Sequence, residues 1–275
     1  MDKRLLTKND FEQLHQAFCR AFSNSRVALN PGKKAFDYRM HKKLNINYDL
    51  SGGIFDGQEL IGFILHASNI YEGIPTAFNG GTGVIPGFRS QKIGEELYEF
   101  LIPKIIERSI ARVVLEVIDT NERAIKLYEK IGFNYRRKVL CFKLTRIIDH
   151  PSRHDLVEGS IEDIDESFGD YTAPFIDAKN HLVSGEESVI LKQKEGKNVG
   201  YIAYQPEQGR ISQLAVARAF RGEGIGTELI AFARKNSLKP LTVMNIPEEK
   251  VGIQRFLHQC GFENQINQFE MELII

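Results

Sequence analysis

A glycine-rich stretch near the end of the chain combines residue types and spacing that bind anions. Residues 220–229 read FRGEGIGTEL and lead into a segment with the apolar spacing of a helix. The backbone N–H groups at a helix N-terminus lack carbonyl acceptors, and the helix dipole adds partial positive charge there. Because glycine allows close approach of the backbone, Gly224 and Gly226 predict a phosphate site. The nucleotide fingerprints GxGxxG and GxxxxGK[ST] are both absent.

The same stretch occurs twice. Residues 88–97 read FRSQKIGEEL and match six of the ten letters, at an offset of 132. Upstream, IGFI (61–64) aligns with VGYI (199–202), and downstream Gly132-Phe133 aligns with Gly261-Phe262. A period near 130 residues is too long for a solenoid repeat and indicates two copies of one domain. We expect domains at 1–150 and 151–275, with the boundary near His150-Pro151-Ser152.

Both copies show the same order of predicted elements. A helical region such as 10–22 precedes a hairpin, at 52–67 in the first copy and at 188–204 in the second. The repeated loop and its helix follow, then a strand such as RVVLEVI (112–118), whose nearly unbroken apolar run indicates burial on both faces. This order predicts an α/β protein with a mixed sheet in each copy.

The complete strings are more specific than their glycines. V-x-P-x-F-R-x-x-x-I-G-x-x-L in the first copy and V-x-x-x-F-R-G-x-G-I-G-x-x-L in the second resemble the acetyl-CoA loop of the GCN5-related N-acetyltransferases, the GNAT family. The family core R/Q-x-x-G-x-G/A is complete in the second copy, whereas Lys92 replaces its first glycine in the first. LEVIDTNERAIKLYEKIGF (115–133) is similar to a later family motif, in a form commonest among enzymes that acetylate protein N-termini.

The resemblance covers about 54–142 and 188–275. It implies two tandem GNAT-like domains, each with a sheet splayed between its fourth and fifth strands, and acetyl-CoA in that gap. The residues it implies for cofactor binding are Thr82, Gly83, Val84, Arg89, Ser90, Gln91, Lys92, Ile93, Gly94 and Asn121 in the first copy, and Leu214, Ala215, Val216, Arg221, Gly222, Glu223, Gly224, Ile225, Gly226 and Thr227 in the second.

Acetyl transfer to an amine needs a base for the ammonium and benefits from an acid for the departing thiolate. Tyr128 matches the family's general-acid tyrosine, although a tyrosine on an apolar helix face is also a common core residue. Glu116 lies in an apolar strand and is either structurally paired or the base. Asn121 either contacts the cofactor or caps a helix.

The second copy has lost these three residue types. Leu257, Thr242 and Lys250 stand at the tyrosine, glutamate and asparagine positions. Its phosphate loop is the cleaner one, since Thr227 follows Gly226 whereas Glu95 would set a carboxylate beside a pyrophosphate. We therefore expect the first copy to be catalytic and the second to be a scaffold that shapes the acceptor cleft. The reverse assignment remains open.

The resemblance implies an acetyl-CoA-dependent N-acetyltransferase that acts on a small-molecule or peptide amine by direct attack in a ternary complex. The alternative is a non-catalytic module that binds CoA or a partner. The acceptor pocket is expected among the N-terminal helices and a loop at 68–80, and His66 could line the cleft, although a satisfied histidine is the simpler interpretation.

Composition excludes several other classes. Hydrophobic content of 42% and charged content of 26% are typical of globular proteins, and the N-terminus has no apolar core of a signal peptide. The apolar runs are too short for a membrane span. Net charge is +6 over 1–150 and −6 over 151–275, without a dense basic patch for nucleic acid. The three scattered cysteines indicate reduced thiols in a cytoplasmic protein, and the seven histidines form no metal motif.

Overall fold

The chain forms two compact units that do not follow a single cut in the sequence. A computed structural model describes residues 1–23, 30–147 and 156–275. One unit comprises Met1–Arg136 together with Glu270–Ile275, and the other comprises Arg137–Phe269. The boundary expected near His150-Pro151-Ser152 lies outside the described residues, so the ranges 1–150 and 151–275 stay a prediction.

The first unit is a mixed sheet with helices. Its strands are β1 (Asp2–Leu5), β2 (Gly52–Asp56), β3 (Glu59–Tyr71), β4 (Ile74–Val84) and β5 (Arg112–Ile118), in that order across the sheet. Its helices are α1 (Phe11–Phe22), α2 (Lys33–Asp37), α3 (Ile93–Glu107) and α4 (Glu122–Ile131). The first four strands pair antiparallel, whereas β4 and β5 pair parallel. The predicted mixed α/β architecture is confirmed.

Burial explains why these segments are helices. In α1, Leu14, Ala17, Phe18 and Ala21 are buried and recur at the spacing of one helical face. In α3 the buried set includes Leu97, Leu101 and Ile105, again three or four residues apart. Each helix therefore covers the sheet with one apolar face.

The last six residues of the chain belong to the first unit. Glu270 accepts a hydrogen bond from Arg136 at 2.6 Å, and Glu272 lies 3.5 Å from Arg112. Glu72, in the turn that follows β3, contacts both arginines. Arg112 and Glu270 each keep only 4% of their side chain exposed, so this network holds the C-terminal segment in place by largely buried ion pairs.

From its hairpin onward, the second unit repeats the plan of the first. Its strands are β6 (Asn134–Leu144), β7 (Leu156–Gly159), β8 (Ser188–Lys194), β9 (Lys197–Gln205), β10 (Arg210–Val216), β11 (Thr242–Pro247) and β12 (Phe262–Ile274). Strand β6 belongs to this unit from Arg137 onward, and β12 belongs to it as far as Phe269. Its helices are α5 (Ile225–Lys235) and α6 (Val251–Gln259). The order is β7-β8-β9-β10-β11-β6-β12. Here β10 and β11 pair parallel, as β4 and β5 do in the first unit.

Most predicted elements are present, with two exceptions. The helical region expected before the hairpin of the second copy is wrong, because the described residues between β7 and β8 form only short 3-10 turns, the last of them at Lys179–His181. The hairpin that turns after Asp56 and the strand at 112–118 are confirmed. The loop expected at 68–80 is wrong, because these residues continue β3 and β4 as a paired hairpin from Ser68↔Ala77 to Tyr71↔Ile74. Glu72 and Gly73 both have positive φ (53° and 77°), the backbone conformation of the tight turns that join twisted strands. No described helix has the length and apolar character to cross a membrane.

Candidate active site

The first unit has a gap where two parallel strands part. Strands β4 and β5 pair from Thr76↔Arg112 to Asn79↔Leu115. Beyond this point β4 continues to Val84 and β5 to Ile118 without further pairing between them in the described register. The pairing of β3 with β4 is also interrupted here, between Leu65 and His66, which leaves Gly80 as the extra residue of a β-bulge. The predicted splay between the fourth and fifth strands is thus present.

Polar side chains meet in the core beside this gap. The Asn79 amide nitrogen donates to the Tyr98 hydroxyl at 2.5 Å and to the Thr82 hydroxyl at 2.8 Å. The Asn79 amide oxygen accepts from the N–H of Gly81 at 2.9 Å. Tyr98 is completely buried and Asn79 is 6% exposed. The residues Asn79, Thr82, Tyr98 and Tyr128 are called the hydroxyl cluster below.

Tyr128 belongs to this cluster. Its ring is 7% exposed and packs edge-on against Tyr98 and Phe133, with ring centroids 6.3 and 5.6 Å away. Burial raises the pKa of Tyr128, and a hydrogen bond with Thr82 partly offsets that effect. The phenol is therefore protonated at neutral pH, which is the state a general acid requires. Tyr128 is at once a core residue and a polar residue beside the gap.

The structure does not bring Glu116 into the cluster. Because side chains alternate along a strand, Glu116 points away from the face of β5 that carries Leu115. Leu115 is the register partner of Asn79, so Glu116 and the hydroxyl cluster lie on opposite faces of the sheet. Glu116 is partly buried. Its role as base stays a prediction.

Asn121 caps helix α4. Its side-chain oxygen accepts a hydrogen bond from the N–H of Ala124 at 3.3 Å. The capping interpretation of this residue is thus present in the structure. A contact of Asn121 with a cofactor stays a prediction.

The first glycine-rich loop joins β4 to α3 and contains two strained residues. Ser90 and Lys92 have φ of 66° and 61°, the left-handed region that glycine adopts at low cost. Arg89 braces this loop, since its Nε donates to the Val84 carbonyl at 3.2 Å and its terminal nitrogen to the Ala21 carbonyl at 2.8 Å. Gln91 is exposed, and Ile93 is buried as the first residue of α3.

Packing, rather than anion approach alone, requires the glycine at the start of α3. A Cβ on Gly94 would lie 2.7 Å from Leu127 of α4. The neighbouring Glu95 pairs with Lys130 of α4 at 2.6 Å. The negative charge of Glu95, which was expected to repel a pyrophosphate, is therefore partly neutralised by Lys130. Arg123 of α4 donates to Ser90 at 3.2 Å and adds a cation at the loop.

The second unit builds its loop in the same way but with glycines. Gly222 and Gly224 stand at the positions of Ser90 and Lys92, with φ of 81° and 83°. A Cβ on either glycine would meet nothing within 4 Å, so this loop is open to a ligand. Arg221 repeats the brace, donating to the Val216 carbonyl at 2.9 Å and the Phe168 carbonyl at 2.8 Å.

Other predicted residues of the second loop have structural partners. A Cβ on Gly226 would lie 2.9 Å from Phe256, so close helix packing requires this glycine. Thr227 approaches the Cys260 sulfur at 3.8 Å, and Glu223 pairs with Lys194. Ile225 is buried, as is Ala215 of β10, whose neighbours Leu214 and Val216 are partly buried.

At the equivalent described positions of the second unit, the hydroxyl cluster has no counterpart. Pairing of β9 with β10 is interrupted between Ile211 and Gln213, which places a bulge at Ser212, 132 residues after Gly80. This shared bulge supports the residue-by-residue sequence alignment of the two copies. Four aliphatic residues then replace the four members of the cluster in order, Ile211, Leu214, Ile230 and Leu257. The equivalent region of the second unit is an apolar core.

Two members of the cluster, Asn79 and Tyr98, are missing from the sequence prediction. Each reads as an ordinary interior residue, and a signal existed only in the comparison of the copies, where both align with isoleucine.

His66 is completely buried, and its Nδ1 lies 2.6 Å from the Leu50 carbonyl. Its Nε2 has no hydrogen-bond partner among the described residues. Burial lowers the pKa of His66 to about 4.

Comparison with known proteins gives the family. A model of the acetyltransferase (GNAT) family matches residues 11–133, and a model of an acetyltransferase (GNAT) domain matches residues 155–275. The chain belongs to the GNAT acetyltransferase family. The two matches confirm that it carries two GNAT domains in tandem.

Within the described residues, no group of three or more His, Cys, Asp or Glu side chains could hold a metal ion.

Related proteins and solved structures agree with this family. N-alpha-acetyltransferase 30 of Dictyostelium discoideum is 41% identical over 84 residues, which are 30% of this chain and 45% of that protein. The [ribosomal protein bS18]-alanine N-acetyltransferase of Escherichia coli is 42% identical over 59 residues, 22% of this chain and 38% of that protein. The matches thus span less than half of these relatives.

Two solved structures share the fold across the whole chain. A tandem GNAT protein from the clavulanic acid biosynthesis pathway has a TM-score of 0.73 at 14% identity, covering 99% of this chain and 98% of its own. A GCN5-related N-acetyltransferase from Sphaerobacter thermophilus has a TM-score of 0.71 at 13% identity, covering 99% and 95%. At these identities the likeness concerns the fold alone.

Proposed function

We propose that this GNAT protein is an acetyl-CoA-dependent N-acetyltransferase whose chemistry takes place in the first unit. The primary amine of the acceptor attacks the acetyl group directly within a ternary complex. The second unit acts as a scaffold and retains an open phosphate loop. Membership of the family and the two N-acetyltransferase relatives support this activity. The three cysteines form no disulfide, which suits a reducing compartment such as the cytoplasm.

The single observation that carries the assignment is the contrast between the two units at one position in the fold. In the first unit, the gap between the parallel strands is bordered by a buried cluster of hydroxyl and amide groups. In the second unit the same four positions are aliphatic. Buried polar groups cost free energy unless they are paired, so an idle site would have little reason to keep them. Only the first unit can supply a proton from a side chain at this place.

The residues of the first unit divide the work as follows. The N–H groups at the start of α3, with Lys92 and Arg123 nearby, would hold the pyrophosphate of acetyl-CoA. The bulge at Gly80 leaves its main chain outside the regular ladder, so an N–H there is suited to polarise the thioester carbonyl. Acetyl-CoA supplies the activated acetyl group. Tyr128 then gives its proton to the departing sulfur.

The names of the relatives suggest which amines to test. One is described as an N-alpha-acetyltransferase, and the other acetylates an alanine of a ribosomal protein. We therefore propose the free α-amino group of a peptide or protein as the first acceptor class, ahead of small amines. The hairpin of β3 and β4, which replaces the expected loop at 68–80, would border this acceptor.

The test is the steady-state release of free CoA thiol from acetyl-CoA. The acceptors are peptides with a free N-terminus, the same peptides with a blocked N-terminus, and simple primary amines. We expect release above background with at least one free-amine acceptor, and none with the matched blocked peptide. Tight CoA binding without release for any amine would instead support the non-catalytic CoA-binding module. Absence of both binding and release would refute the proposal.

A further inference from the structure

The side chain of Asn79 uses all of its hydrogen-bonding groups at the bulge between β3 and β4. The N–H of Gly81 can only donate, so the Asn79 atom that it contacts at 2.9 Å is the amide oxygen. The amide nitrogen then gives one hydrogen to the Tyr98 hydroxyl at 2.5 Å and one to the Thr82 hydroxyl at 2.8 Å. Because this amide is buried and fully hydrogen-bonded, it is held in one orientation.

The bond from Gly81 to Asn79 decides which main-chain donor the bulge can offer. An asparagine that accepts from the N–H two residues later forms an Asx-turn, which fixes the backbone of the residue between the two. That residue is Gly80, the extra residue of the bulge. Of the two glycine N–H groups at the bulge, Asn79 takes that of Gly81, so the proposed contact with the thioester carbonyl falls to the N–H of Gly80.

Gly80 is also confined by a packed side chain. A Cβ at this position would collide with Leu44, which is itself buried. The main chain at Gly80 is therefore held both by the leucine and by the Asx-turn of Asn79.

Tyr98 connects this bulge to helix α3. Its ring is completely buried and packs edge-on against Tyr128 and Phe133, so the core fixes the position of its hydroxyl. Helix α3 begins at Ile93, where its first N–H groups form the proposed pyrophosphate site. The hydrogen bond from Asn79 to Tyr98 thus ties the proposed contacts for the pyrophosphate and for the thioester to one helix.

The second unit has a bulge without this bracing. Its bulge lies at Ser212, and Ile211 and Ile230 stand at the positions of Asn79 and Tyr98. An isoleucine side chain can neither accept from the main chain nor donate to a hydroxyl. A bulge therefore forms at this place without an asparagine, and what Asn79 adds is a fixed direction for the main-chain donor.

We propose that Asn79 is a positioning residue that directs the N–H of Gly80 at the carbonyl oxygen of the thioester, and that Tyr98 anchors it to α3. This inference rests on the proposed function, in which the bulge polarises that carbonyl. A preorganised donor stabilises the negative charge that develops on the oxygen when the amine attacks. When the donor is no longer held in place, that stabilisation is lost, whereas the contacts to the CoA moiety remain.

The test combines kinetics with the infrared band of the thioester carbonyl in bound acetyl-CoA that is isotope-labelled at that carbon. Asn79→Ile, which copies the second unit, should lower kcat by about 100-fold at unchanged KM for acetyl-CoA. Tyr98→Phe removes one neutral hydrogen bond and should lower kcat by about fivefold, with no further effect in the Asn79→Ile background. The carbonyl band should lie at lower wavenumber in wild-type protein than in Asn79→Ile, because only the wild-type donor polarises the bond.

Gln213→Leu is the matched control. Gln213 is a buried amide that directly follows the bulge of the second unit and also makes three hydrogen bonds. It donates to the Asp177 carbonyl at 2.7 Å and to Glu166 at 3.3 Å, and it accepts from Tyr201 at 3.1 Å. Its replacement should lower the Tm but leave kcat and the carbonyl band unchanged.

Two failures can be told apart. If wild-type protein is active but Asn79→Ile keeps the wild-type carbonyl band, with or without a loss of kcat, Asn79 does not position the donor. If wild-type protein transfers no acetyl group, the proposed function fails, whereas a band that moves in Asn79→Ile still supports the positioning role. Should Asn79→Ile not fold, Tyr98→Phe decides, since it keeps the ring contacts; wild-type kcat and an unmoved band in that variant would overturn the inference.

Discussion

Replacement of Tyr128 by phenylalanine separates chemistry from packing at the candidate site. The change removes one oxygen and keeps a ring that is 7% exposed and packed edge-on against Tyr98 and Phe133. These aromatic contacts contribute most of what Tyr128 gives to the fold, and phenylalanine retains them. The only described polar contact that is lost is the hydrogen bond with Thr82.

The expected magnitudes follow from that geometry. Loss of a neutral hydrogen bond costs about 1 kcal/mol of unfolding free energy. Thr82 is only partly buried and keeps Asn79 as a donor, so a large penalty for an unpaired group is not expected. Loss of a general acid, by contrast, should lower kcat by about 100-fold or more. The KM for acetyl-CoA should hold, because the lost interaction belongs to the transition state.

The assay measures CoA release and Tm on the same preparations of wild-type, Tyr128→Phe and Tyr204→Phe protein. The control Tyr204→Phe deletes a hydroxyl from a ring that is 1% exposed in the second unit, and should leave kcat unchanged. If Tyr128→Phe lowered Tm by a few degrees and left kcat intact, Tyr128 would be a core residue only. The proton chemistry would then have to lie elsewhere in the protein.

The remaining predictions concern stability. Burial lowers the pKa of His66 from 6.5 to about 4, so the unfolded chain binds a proton more readily than the folded one in this range. The free energy of unfolding should therefore fall by up to about 3 kcal/mol as the pH drops from 6.5 towards 4. His66→Leu should abolish this pH dependence, as measured by urea unfolding at each pH. Lys92 has a left-handed backbone conformation that glycine adopts at lower cost. Lys92→Gly should therefore change the free energy of unfolding by no more than about 1 kcal/mol, as checked by Tm. A larger loss of stability would contradict the view that the backbone at Lys92 is strained. Ending the chain at Phe269 removes two of the three carboxylates that pair with Arg112 and Arg136, together with the buried Met271, and should cost about 3–5 kcal/mol. An unchanged Tm would show that the C-terminal segment is dispensable.

The sequence was sufficient for the fold because its signals are local or repeated. The strand at 112–118, the turn after Asp56 and both glycine-rich loops follow from periodicity, turn chemistry and the internal duplication. The hairpin at 68–80 could not be predicted, since its turn is Glu72-Gly73 and its strands carry small and polar residues that read as a loop. The glycines were predicted, but the packing of Leu127 and Phe256 against Gly94 and Gly226 was not, because it depends on tertiary neighbours.

The candidate site was predicted less completely for the same reason. Tyr128 was found through a motif, whereas Asn79 and Tyr98 are 19 residues apart and meet only when α3 packs on β4. No local pattern marks such a pair. The position of Glu116 on the face opposite the hydroxyl cluster also depends on the parallel register of β4 and β5, which the sequence does not reveal.

The central claim is that acetyl transfer takes place in the first unit, and a crystal structure with bound acetyl-CoA tests it most directly. The decisive quantity is the distance from the thioester sulfur to the nearest side-chain hydroxyl. We expect the pyrophosphate on the N–H groups of residues 90–94 and the sulfur within hydrogen-bond reach of the Tyr128 hydroxyl. Acetyl-CoA found only on the loop at 222–227, with its sulfur against Leu214 and Leu257, would contradict the claim and move the chemistry to the second unit.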